Sequence, residues 1–90
     1  MSAKTLPDSR QQLIHLVRLG WELRKRGLSS AIDLRTGRQP TLLIPRTPAP
    51  LKVMALLRDG RWFFTWGRGR AQMVRALADD ASERVWEAAQ

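Results

Sequence analysis

His15 is the only histidine of this 90-residue chain, and there is no cysteine. A histidine relay that activates a nucleophile would therefore have to run through His15, and thiolate metal sites and disulfides are excluded. On a helical projection His15 falls in a polar sector with Gln11, Arg18 and Glu22. Glu22 lies almost two turns on, beyond hydrogen-bond reach, so no acid orients the imidazole. Asp79 and Asp80 are neighbours in sequence and point about 100° apart on a helix, which is not a shared carboxylate site. Asp33 and Asp59 fall on a strand and in a turn, where each has a structural reason to be. No His/Asp/Glu set has metal-ligand spacing, and the reading is a non-enzymatic chain without a metal or cofactor.

The chemistry that remains is that of binding. The net charge is +8. Residues 1–75 carry 15 Lys/Arg against 4 Asp/Glu, and residues 76–90 carry one Arg against 4 acids. A basic body invites phosphate-bearing partners. Thirteen of the cations are Arg, and Asn and Tyr are absent, a usage that coding bias in a GC-rich genome also produces.

The stretch GRWFFTWGRGR, Gly60 to Arg70, concentrates both aromatics and cations. Asp59-Gly60 stands between two alternating runs, Leu51 to Arg58 and Arg61 to Trp66, and predicts a type I′ hairpin. That turn opposes Arg58 to Arg61, Leu57 to Trp62, Leu56 to Phe63 and Ala55 to Phe64. Opposed residues share a face. Val53, Ala55, Leu57, Trp62, Phe64 and Trp66 then form an apolar face, and the three rings are read as core. Lys52, Met54, Leu56, Arg58, Arg61, Phe63 and Thr65 form a mixed one. An aromatic among cations suits base stacking. An apolar centre with an arginine rim equally suits a protein interface, and that reading leads.

The elements that position these residues follow from periodicity. A first helix is expected over about Pro7 to Arg26, with a cationic last turn and Gly27 as its stop. Its apolar residues, Leu13, Ile14, Leu16, Val17, Leu19, Trp21 and Leu23, span more than half its circumference. That is wider than packing on one sheet requires, so loops or a second copy of the chain should cover part of it. Strands are expected at Ala31 to Thr36, Thr41 to Ile44, Leu51 to Arg58 and Arg61 to Trp66. TGRQP, Thr36 to Pro40, forms a turn. PRTPAP, Pro45 to Pro50, is a stiff connection that also holds a Pro45-x-x-Pro48 pattern of the kind polyproline readers accept.

A last helix is expected over about Arg70 to Ala88, with Trp86 on its polar side, where it either faces a partner or a neighbouring chain or marks a fraying end. The whole is one α+β domain over residues 1–90, a two-layer sandwich of helix, four-stranded antiparallel sheet and helix. Gly67-Arg68-Gly69-Arg70 would open the last helix as a glycine-relieved strand-to-helix turn with solvated arginines, which is the leading reading; backbone N–H groups and two arginines there would also suit an anion. It is neither a P-loop nor a dinucleotide fingerprint.

From Leu51 to Ser82 the element order, with basic residues at the start of the last helix, is similar to the double-stranded RNA-binding domain. That resemblance implies phosphate contacts from Arg68, Arg70 and Arg75 and sheet packing by Ala71, Ala76, Ala78 and Ala81. The chain departs from that family in lacking its paired lysines and in having one strand more. Over most of its length, with its DGRWFFTWGRGR hairpin end, it looks more like small Arg-rich actinobacterial proteins of unassigned function.

The expectation is thus a cytoplasmic protein-interaction module, homodimeric and without a membrane span. Its partner-binding residues would be Leu56, Arg58, Arg61, Phe63 and Trp86, or the outer side of the first helix. The alternative is nucleic-acid binding through Arg68, Arg70, Arg75 and the sheet arginines.

Overall fold

The computed structural model describes residues 5–34 and 39–90. Helix α1 runs Thr5–Lys25. It stops as expected: the Gly27 N–H donates to Arg24 O (2.9 Å) and the Leu28 N–H to Leu23 O (3.0 Å). Gly27 adopts φ 84°, a left-handed conformation that closes the helix and sends Leu28 back onto the core.

Five strands follow: β1 Ala31–Asp33, β2 Thr41–Ile44, β3 Leu51–Arg58, β4 Arg61–Thr65 and β5 Met73–Arg75. They form one antiparallel sheet in sequence order, β1-β2-β3-β4-β5. Helix α2, Ala81–Ala88, closes the chain beside α1. The fold is therefore α+β with helix, sheet and helix in that order, and the sheet has five strands rather than the four expected. The expected continuation of the first strand through Arg35 and Thr36, and most of the turn after it, lie outside the described residues.

The Asp59-Gly60 turn is formed, with φ 53° and 76°, and the β3–β4 register is the one its length dictates, from Met54 opposite Thr65 to Arg58 opposite Arg61. Every second side chain then turns inward. Leu42, Ile44, Leu51, Val53, Ala55, Phe64 and Val74 are buried against Leu16, Leu19 and Leu23 of α1 and Ala81 and Val85 of α2. Trp62 and Trp66 pack on the rim of this core. Leu57 belongs to the same face but is half exposed, because β3 outruns β2 towards the hairpin tip.

The last third of the chain differs from expectation. Arg70–Gln72 is a single 3-10 turn, Met73–Arg75 is strand, and the helix begins only at Ala81. The cause is the outer edge of β4, whose unpaired backbone groups need partners. The Trp66 N–H donates to Gln72 O (3.0 Å) and the Ala76 N–H to Trp62 O (2.9 Å), bracketing a ladder that pairs Phe64 with Val74. Val74, Ala81 and Val85 reach the core on this path as they would have on a helix, whereas Leu77 is left in solvent. The periodicity was satisfied by two structures, and hydrogen bonding decided between them.

Candidate functional site

Helix α1 carries two apolar faces. The inner one holds Leu16, Leu19 and Leu23, fully or almost fully buried. Opposite it, at about 100° per residue, Ile14, Val17 and Trp21 point away from the sheet. They are 49%, 53% and 59% exposed. The over-wide apolar arc is thus half used: no described loop covers the outer half. Arg10, Arg18, Arg24 and Lys25 surround this stripe and are all exposed. Glu22 lies outside it, in an i,i+3 ion pair with Lys25 (3.6 Å).

On the side towards β1 the stripe runs into a groove of about 860 Å³. Leu13, Ile14, Val17 and Trp21 form one wall and Ile32 the other, with Leu42 at its base. Gly20 lets the β1 side approach the helix backbone: a β-carbon there would sit 3.1 Å from Ser30 Oγ. Among the described residues, Arg18 and Arg24 are the charged ones lining the groove, and no carboxylate lines it.

The second exposed surface is the outer face of the sheet. Phe63 lies directly opposite Leu56 on one side and Arg75 on the other. Met54, Thr65 and Met73 form the next row, with Lys52 beyond. Sequence reasoning placed Leu56, Arg58, Arg61 and Phe63 on this face, and the structure puts them there together. It missed Met73 and assigned Arg75 to a helix; the alternation Met73-Val74-Arg75 was the available signal. Phe63, Leu56 and Met54 are only partly exposed, since cross-strand neighbours cover one another.

Trp86 is not part of either surface. It is partly buried and packs on the core: α2 turns Ala81 and Val85 inward as the stripe implies, and the indole, about 100° round the helix from Val85, packs against the edge of the same core. Arg68 and Arg70 are exposed in the segment around the 3-10 turn, not at the start of a helix, and Arg75 lies on β5. The anion site at a helix N-terminus, the alternative reading for these arginines, is not formed, since no α-helix begins there. Among the described residues none of them makes an ion pair.

His15 is also placed differently. The projection puts it in the polar sector, but it follows buried Gln12 by three residues and precedes buried Leu19 by four, so it faces the sheet. Its ring lies 5.1 Å from that of Trp62, tilted, and 6.4 Å from that of Phe64, edge-on. Burial pushes its pKa below the ordinary value, and the nearby Arg18 charge adds to the effect. Gln12 donates from Nε2 to Ala55 O (3.0 Å) and to Gln39 Oε1 (3.0 Å). The first bond has a clear origin. Ala55 stands where the β2–β3 ladder would continue to Pro40, which has no N–H to offer, so a side chain from α1 supplies the donor. These two polar groups are structural.

Among the described residues no group of three or more His, Asp or Glu is arranged to hold a metal. No helix of the described residues is long and apolar enough to cross a membrane. The class defined at this point is a small α+β protein, two helices on one face of a five-stranded meander. No protein-family model matches the chain, no curated protein is significantly similar to it, and no solved structure is significantly similar to it.

Proposed function

We propose that this protein is a non-enzymatic protein-interaction module that docks its partner on the outer face of α1 and in the groove beside it. One observation carries the reading: three large apolar side chains at i, i+3 and i+7 of a well-anchored helix lie half in water, next to a concave apolar groove. Scattered exposed apolar residues are ordinary, but a contiguous stripe beside a groove is the form that helix-in-groove recognition takes. The stripe is dispensable for the fold, since α1 is held by its other side. The expected centre on the sheet, Leu56 and Phe63, is more fully covered by its own neighbours and is the weaker interface.

A second reading keeps the outer sheet face. Phe63 sits within one strand spacing of Arg75 and on the same face as Arg58 and Arg61, an arrangement suited to single-stranded nucleic acid. One experiment separates the two. Tagged wild type, Trp21→Glu and Phe63→Ala are compared by affinity capture and quantitative mass spectrometry, with and without nuclease, after circular dichroism confirms folding. Proteins lost with Trp21→Glu, kept with Phe63→Ala and indifferent to nuclease support the α1 reading. Capture that disappears with nuclease and with Phe63→Ala, and survives Trp21→Glu, refutes it in favour of the sheet.

A further inference from the structure

We infer that the occupant of the α1 groove is an acidic amphipathic helix of another protein, not a second copy of this chain. The inference rests on the docking surface proposed above and names its partner by chemistry. Among the described residues the groove's charged lining is Arg18 and Arg24, and Arg10 extends the same frame, while Lys25 is paired with Glu22. A partner segment lying here has its apolar side on Ile14, Val17 and Trp21 and its flanks against cations. Carboxylates on those flanks gain attraction in a partly desolvated setting, and lysines there are repelled.

Self-pairing meets the opposite situation. A two-fold contact through the stripe would set the three arginines of each copy, Arg10, Arg18 and Arg24, against those of the other, within a chain of net charge +8. The wide apolar arc that suggested a dimer therefore comes with a frame that disfavours one. The groove's shape also bears on the occupant. From Leu13 to Arg24 it runs roughly 16 Å along α1, about three helical turns. Because it is concave between α1 and β1, it fits a rod better than a lipid surface.

The test uses the full chain and two synthetic amphipathic peptides of about four turns. Both carry leucines at i, i+3, i+4 and i+7; one has glutamate on its flanks and the other lysine. Binding is read by fluorescence anisotropy. The glutamate peptide should bind at least about tenfold more tightly than the lysine peptide, and its affinity should fall with salt. Trp21→Glu should abolish binding. The double variant Arg18→Glu/Arg24→Glu should reverse the preference towards the lysine peptide, a gain that a misfolded protein cannot show. Equal affinities, or no binding of either peptide at about 100 μM, overturn the inference.

Two further arms identify the other occupants. Sedimentation showing a wild-type dimer that Trp21→Glu dissociates assigns the groove to a second copy; the inference then fails while the docking surface stands. Binding to phosphatidylserine vesicles that is lost with Trp21→Glu, without peptide binding, overturns both.

Discussion

The two faces of α1 are similar in composition and opposite in fate. Leu16, Leu19 and Leu23 are buried; Ile14, Val17 and Trp21, interleaved with them, are about half exposed. The inner face even buries two polar side chains, Gln12 and His15, while the outer face leaves an indole in water. Apolar content does not decide which face is core. The sheet does, because it can cover only one side of a helix, and polar groups follow it inside wherever a backbone carbonyl or a ring receives them. What is left outside is surface without a structural task.

The largest expected effect divides the faces by stability. Leu16→Ala removes a side chain with no exposure and should cost about 2–5 kcal/mol. Trp21→Ser removes a larger side chain that is 59% exposed and should cost less, about 1–2 kcal/mol for the part in contact. Urea denaturation of the two variants measures both. A loss of several kcal/mol in Trp21→Ser would show that the outer stripe belongs to the fold, and the docking surface would lose its basis.

This contrast also marks where the sequence was legible. The Asp59-Gly60 turn fixed the β3–β4 register, and with it the sorting of Trp62, Phe64 and Trp66 from Phe63, because a two-residue turn leaves one pairing. The first helix, its glycine stop and the excess of its apolar arc were equally local. Three features were not. The last segment has a helical repeat, yet Met73 to Arg75 pairs with β4, whose free edge is a property of the sheet and not of that segment. Trp86 lies off the Ala81–Val85 stripe as its angle implies, yet so large a ring still packs against the core's edge, which a projection of positions does not show. The helical projection puts His15 in the polar sector with Arg18 and Glu22, but at the edge of that sector next to Leu19, so its neighbours at i−3 and i+4 carry it inward. The proposed site was half legible: the surplus of apolar residues on α1 was plain, but which of them the sheet covers depends on how the helix is rotated.

A middle-sized effect tests the polar part of the inner face. Gln12→Ala removes the donor that Pro40 cannot provide and leaves Ala55 O without its bond from Nε2. The cost should be about 1–3 kcal/mol, since a buried carbonyl loses its partner. Substituting Gln11, one position away and exposed, should cost a few tenths at most. Equal losses for the two, measured by the same denaturation, would show that Gln12 serves helix formation in general and that its bond to β3 adds nothing.

The smallest effect is a dependence on pH, and it reports on the inner face alone. His15 is kept neutral by burial first and by the positive charge of Arg18 second, so its folded pKa lies below the ordinary value. The unfolded chain titrates near about 6.5. Below that pH the unfolded state takes up a proton that the folded state still refuses, and stability falls as pH drops until the folded pKa is passed; above it the contribution is complete. The urea midpoint should therefore decrease between pH ~7.5 and ~5.5, a window chosen to stay above the carboxylates. His15→Gln should flatten that slope, and Trp21→Ser should leave it unchanged, because the stripe and the imidazole lie on opposite sides of one helix. A slope altered by Trp21→Ser would mean that the outer face controls how tightly α1 seats on Trp62 and Phe64, and a partner docked in the groove would then be felt in the core.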